Sequence, residues 1–114
     1  MSQWALKLPD GRSIALDEKG YLLERQAWSH SVAETMANAD GIELTGDHWK
    51  VIELFQDYFD QFEIEPPMRA LVRLAGEQLG SDKGTSRYLY QLFPAGPQIL
   101  ACRYAGLPRP LSCV

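Results

Sequence analysis

Cysteine is scarce in this chain: there are two in 114 residues, Cys102 and Cys113. Two thiols cannot build a disulfide framework, and on their own they are too few to hold zinc. His30 and His48 stand at no recognisable ligand spacing from them, so no metal or other cofactor is expected. Long apolar runs are also missing, which rules out a membrane-spanning helix. The opening MSQWALKLPDGRS has a polar loop where a signal peptide would need an apolar core. The expected location is therefore cytoplasmic, away from any membrane. There is no Gly-rich phosphate loop, no nucleophile elbow and no HExxH. A basic excess is lacking too. The net charge of −4 argues against an independent DNA binder.

The charge is unevenly spread. Residues 1–65 carry five Lys/Arg against thirteen Asp/Glu, whereas residues 66–114 carry six against two. The C-terminal part is thus +4 and the rest −8. That asymmetry suggests that the cysteine-bearing side meets acidic partners, anionic sulfur species or RNA. Lys83, Arg87, Arg103 and Arg109 are the candidate contacts on that side.

Both cysteines fall in the closing CRYAGLPRPLSCV, with ten residues between them and Cys113 penultimate. Gly106 reads as a helix stop, because glycine tolerates the left-handed cap conformation. Pro108 and Pro110 cannot continue a helix, and each pushes its predecessor into extended backbone. Leu107 to Val114 is therefore expected to be a stiff, mobile arm, reaching roughly 25 Å at about 3.1 Å per residue. A thiol at such an end is a reactive thiol rather than a core side chain. Cys102, in a predicted helix, is either a small buried hydrophobe or the resolving partner of Cys113. A disulfide between them needs alpha carbons about 4.4–6.8 Å apart, so the arm would have to fold back. Guanidinium charge at Arg103 and Arg109 would lower a nearby thiol's pKa and hold an anionic sulfur group.

The rest reads as one domain, α+β and mainly α: a meander over 1–23, a helical array over 29–105 and the arm over 106–114. Trp4–Leu8 alternates, Pro9-Asp10-Gly11-Arg12 turns, and Ser13–Leu16 and Tyr21–Leu23 complete three short antiparallel strands. Ser31-Val-Ala-Glu34 fits a capping box opening a helix to about Asn38. Thr45 caps a helix over about 46–62, with Trp49, Ile52, Phe55, Phe59 and Phe62 on its apolar face. Pro66-Pro67 opens a helix over 68–79 that Gly80 stops. Thr85 or Ser86 caps one through Phe93, and Pro97–Ala105 makes the last of about five. The third and fourth helices could form a helix-turn-helix pair presenting Arg87 to a groove, a reading the acidic balance opposes.

DEKGYL, ELTGDHW, PPMRALV, DKGTSRYLYQLFPAGP and ACRYAGLPRPLSCV, in that order along nearly all of the chain, resemble the DsrC/TusE family of sulfur-relay proteins. The last two blocks are the specific ones. The resemblance implies a β-meander on a helical array with a mobile arm. It also implies that Cys113 carries transferred sulfur as a persulfide. In TusE-like members the sulfur comes from a TusBCD complex and passes to the tRNA thiouridylase MnmA for wobble 2-thiouridine. In DsrC-like members the same cysteine and an earlier one, with ten residues between them, serve dissimilatory sulfite reductase, through a trisulfide or a disulfide. Cys102 matches that second cysteine, whereas Leu111-Ser112 replaces the Thr-Gly frequent in DsrC-like tails. The relay for tRNA thiolation is the reading adopted; the alternative is the sulfite reductase partner.

Overall fold

The structure is a computed structural model and describes residues 4–109. Strands β1 (Trp4–Lys7) and β2 (Ser13–Leu16) pair antiparallel, with Leu6 opposite Ile14. The turn between them closes through Leu8 N–H on the Arg12 carbonyl, 2.8 Å. Asp10 accepts from the Arg12 amide at 2.9 Å. The expected third strand is reduced to a single bridge, Leu16 to Leu22. The cause is local. Asp17 accepts from the amides of Lys19 and Tyr21, and its own amide donates to the Tyr21 carbonyl. Past this tight turn Leu23 N–H reaches the Ala15 carbonyl at 3.3 Å, and a 3-10 turn at Arg25–Ala27 then takes the chain away.

Helix α1 (His30–Ala39) starts two residues earlier than expected. Its cap is Ser29, whose hydroxyl accepts from Val32 N–H, and not Ser31. Ser31 lies within the helix and its carbonyl accepts from Thr35. Helix α2 (Gly46–Phe62) is capped by Thr45, as expected. His48 completes the capping box: its Nδ1 accepts from Thr45 N–H at 3.0 Å, which leaves Nε2 to donate to the Leu92 carbonyl at 2.7 Å. Val51, Ile52 and Phe55 fill the core, whereas Phe62, expected on the apolar face, is half exposed and stacks on Tyr58. It is the last helical residue before Glu63 turns left-handed, past the reach of the core.

Helix α3 (Met68–Leu79) begins after Pro67 and stops at Gly80, as expected. Helix α4 (Ser86–Leu92) is capped by Thr85. The corner between them is tight: a Cβ on Gly84 would lie 2.5 Å from the alpha carbon of Gly76, so only glycine fits. Helix α5 (Pro97–Tyr104) packs against α1, α2 and α4. Pro97, Leu100, Ala101, Cys102 and Tyr104 are all buried. With most of its side chains buried, α5 sits inside, against three of the other four helices. The chain is α+β and mainly α. Among the described residues, no helix is long and apolar enough to cross a membrane.

Candidate functional site

The last turn of α5 launches the arm, and its four closing carbonyls would otherwise lack helical partners. Each is taken. Leu107 N–H bonds the Cys102 carbonyl (3.0 Å) and Gly106 N–H bonds that of Arg103 (3.1 Å). With Gly106 at φ +74°, this is a Schellman motif. Trp28 Nε1–H donates to the Tyr104 carbonyl at 2.6 Å, and Gln56 Nε2 to that of Ala105 at 3.0 Å. Leu107 is fully buried, supplying the apolar contact that accompanies such caps. Four hydrogen bonds thus hold the root of the arm before Pro108 reaches solvent.

Gly106 is required there for a second reason. A Cβ at this position would fall 2.6 Å from Trp28 Cδ1, closer than atoms can approach. The indole and the glycine backbone lie in close contact, so sequence position 28 helps to set where the arm leaves.

Cys102 is completely buried in α5. Arg103 beside it is committed elsewhere: Nη1 lies 3.2 Å from Asp40 Oδ2, and Nε donates to the Gly20 carbonyl at 3.5 Å. The same Asp40 oxygen accepts from the Tyr104 hydroxyl at 2.6 Å. Burial, and then that hydrogen bond, push the Tyr104 phenol well above its ordinary range. Arg103 therefore stitches α5 to α1 and the Asp17–Gly20 turn. Arg109 follows the buried Leu107 and reaches back: its Nη2 lies 3.5 Å from Asp17 Oδ2 and 3.9 Å from Glu18 Oε1.

Lys83 belongs to another cluster. Lys83 Nζ donates to Asp47 Oδ2 at 3.0 Å, and the Tyr88 hydroxyl makes a short hydrogen bond to the same oxygen. The Tyr88 hydrogen bond, then that from Lys83, hold the Asp47 carboxyl below its usual range. The Asp47 contact, in turn, raises Lys83 and Tyr88. Arg87 is exposed on α4. The expected site residues thus divide into Cys102, Arg103 and Arg109 at the arm's root, Lys83 near the start of α2, and Arg87 exposed on α4. Cys113, expected to be the reactive thiol, lies outside the described residues. Among the described residues, no group of His, Cys, Asp and Glu could hold a metal ion.

Trp28, Gln56, Asp40 and Asp17 were not anticipated as parts of this end. Their contacts with α5 or the arm join distant parts of the chain, and no local pattern announces them.

The comparisons with known proteins agree with this architecture. The family model described as DsrC like protein matches residues 9–114. The chain is 43% identical over 105 residues to Sulfurtransferase TusE of Pectobacterium atrosepticum, covering 92% of this chain and 96% of that protein. The solution structure of Allochromatium vinosum DsrC superposes with a TM-score of 0.84 at 45% identity, over 97% of this chain and all of the other. The oxidized gamma-subunit of the dissimilatory sulfite reductase (DsrC) from Archaeoglobus fulgidus gives 0.86 at 38%, with the same coverage. On sequence, fold and the match that runs through the α5 cap into the arm, the chain belongs to the DsrC/TusE family.

Proposed function

We propose that the protein is a sulfur carrier, a sulfurtransferase that holds persulfide sulfur on Cys113 and passes it on for tRNA wobble 2-thiouridine synthesis. The Cys113 thiolate attacks the outer sulfur of a donor persulfide. A new S–S bond forms on Cys113, the donor S–S bond breaks, and the donor cysteine leaves as thiolate; there is no net oxidation. The acceptor repeats the exchange. Similarity to proteins named Sulfurtransferase TusE supports the relay, with a donor complex of TusBCD type and an acceptor of MnmA type.

The observation that carries the reading is the capping of α5. A protein that only needed to end could fray there. Here Trp28, Gln56 and the Schellman bonds satisfy every closing carbonyl, which favours a defined launch point for a working arm. Arg103 and Arg109 near it, in a +4 C-terminal part, suit acidic partners.

The test is intact-protein mass spectrometry after incubation with a persulfide donor. Wild type should gain about 32 Da, one sulfur. Cys113→Ser should gain nothing and Cys102→Ser should load normally. Loading that survives loss of Cys113 would refute the proposal.

A second reading, a substrate and redox partner of a dissimilatory sulfite reductase, is favoured by Cys102 itself, which has ten residues between it and Cys113. Solved relatives bear that enzyme's name. There the pair would close into a disulfide, so that a two-hydrogen loss on mild oxidation requires both cysteines.

A further inference from the structure

The turn from Asp17 to Gly20 meets the C-terminal end of the chain twice. On one side the Gly20 carbonyl receives Arg103. On the other, Asp17 Oδ2 and Glu18 Oε1 face Arg109. The two oxygens of Asp17 divide the work. Oδ1 builds the turn, accepting from the Lys19 amide at 2.8 Å and the Tyr21 amide at 2.9 Å. Oδ2 is left for the arm, with the Asp17 side chain only 24% exposed.

Between the buried Leu107 and Arg109 lies Pro108 alone. Proline fixes its own φ and keeps Leu107 extended. Leu107–Pro108–Arg109 is thus a short stiff rod, anchored by burial at one end and by charge at the other. The anchors differ in kind. Burial of Leu107 is insensitive to salt, whereas ion pairs this exposed are weak and screened.

We propose that Asp17 and Glu18 are positioning residues for the arm: they latch Arg109 and so set the direction and reach of the chain that leads to Cys113. With Arg109 held, Cys113 is four positions on, a reach of at most about 12 Å; from Leu107 alone it is six positions, at most about 19 Å. Closing the latch shrinks the volume open to the thiol about fourfold and raises its effective concentration near the turn by the same factor. An acidic partner competes for Arg109 and opens it. The inference gives the carrier reading a means of control and rests on it for its purpose, but not for its test.

That test is amide relaxation by NMR on the full reduced chain, which needs no sulfur chemistry. Asp17→Asn with Glu18→Gln removes both charges while the Asn side chain still accepts from Lys19 and Tyr21. The Arg109 amide should become more mobile, with the released population rising about two- to fivefold. About 0.5 M salt should do the same to wild type. Arg109→Gln should reproduce the gain in mobility at its own amide, and combining it with the acidic pair should add nothing. Unchanged Arg109 relaxation in the neutralised variant and in salt would overturn the latch. Cys113 loading in these proteins is read separately: a latch without loading would remove the carrier reading and leave the positioning intact.

Discussion

Trp28 and Gly106 are in mutual contact through the one face each can offer: the indole ring lies where a glycine Cβ would be, and its N–H holds the carbonyl two residues earlier. The arm's exit thus depends on a pair 78 positions apart. Gly106→Ala must place a side chain at φ +74° and push against the ring. A cost of about 2–4 kcal/mol in urea unfolding is expected from strain and overlap together. Trp28→Ala loses the ring and a hydrogen bond and costs about 3–5 kcal/mol alone. The double variant should cost less than the sum, because the overlap is gone and only the strain remains. Additive losses would show that the two residues do not meet.

Asp40 joins the ends of α1 and α5. Asp40→Ala leaves the Tyr104 hydroxyl, on a fully buried residue, without its acceptor, and should cost about 1–3 kcal/mol. Asp40→Asn keeps an acceptor and loses the pairing with Arg103, worth less than about 1 kcal/mol at a partly exposed site. Tyr104 also gives an alkaline limb. Its pKa is raised in the fold, so its contribution is complete below the unfolded tyrosine value of 10.0 and is lost as pH rises above that. Stability should therefore fall above pH 10, and less steeply in Tyr104→Phe. Thermal melts of both proteins at pH 9 and 11 would decide it.

Asp47 gives the opposite limb. Tyr88 and Lys83 lower its pKa, so its contribution is complete above the unfolded value of 3.8 and disappears as pH falls through the lower folded value. Tyr88→Phe removes the larger cause. The difference in melting temperature between wild type and Tyr88→Phe should be greatest near pH 7 and shrink on acidification. A difference that stays constant to the acid limit of folding would assign the effect to packing.

What the sequence discloses and what it conceals divide along chain distance. Thr45, Pro66-Pro67, Gly80, Thr85 and Gly106 mark helix ends by properties of the residues themselves, and the observed bounds of α2 and α3 follow them. Ser29 and Ser31 are both competent caps, and the choice went to the residue whose backbone is extended, Ser29 at φ −153°. Phe62 continues a helical spacing, but spacing carries no knowledge of where the facing helix stops. The root of the arm was legible as Gly106 and two prolines. Its tethers were not: Trp28 to Tyr104 spans 76 positions, Asp40 to Tyr104 spans 64, and Gln56 to Ala105 spans 49. A tryptophan, an aspartate and a glutamine carry no local mark of such use. Arg103, read as an anion contact, has its charge met by Asp40, a partner only the fold supplies.

Cys102 is the residue on which the two functional readings differ, and its burial makes a prediction independent of both. With 0% of its surface exposed, the thiol meets a reagent only when the surrounding structure opens. In Cys113→Ser protein, where the arm is retained and Cys102 is the one remaining thiol, alkylation by iodoacetamide should be at least about tenfold slower under native conditions than in denaturant at the same pH. A native rate equal to the unfolded rate would mean that this turn of α5 opens freely. Slow alkylation together with normal sulfur loading in Cys102→Ser would place the second cysteine in the helix packing and leave the transfer to Cys113. Slow alkylation with loading that fails in Cys102→Ser would require the buried thiol to emerge during the reaction, which is the behaviour of a two-thiol partner.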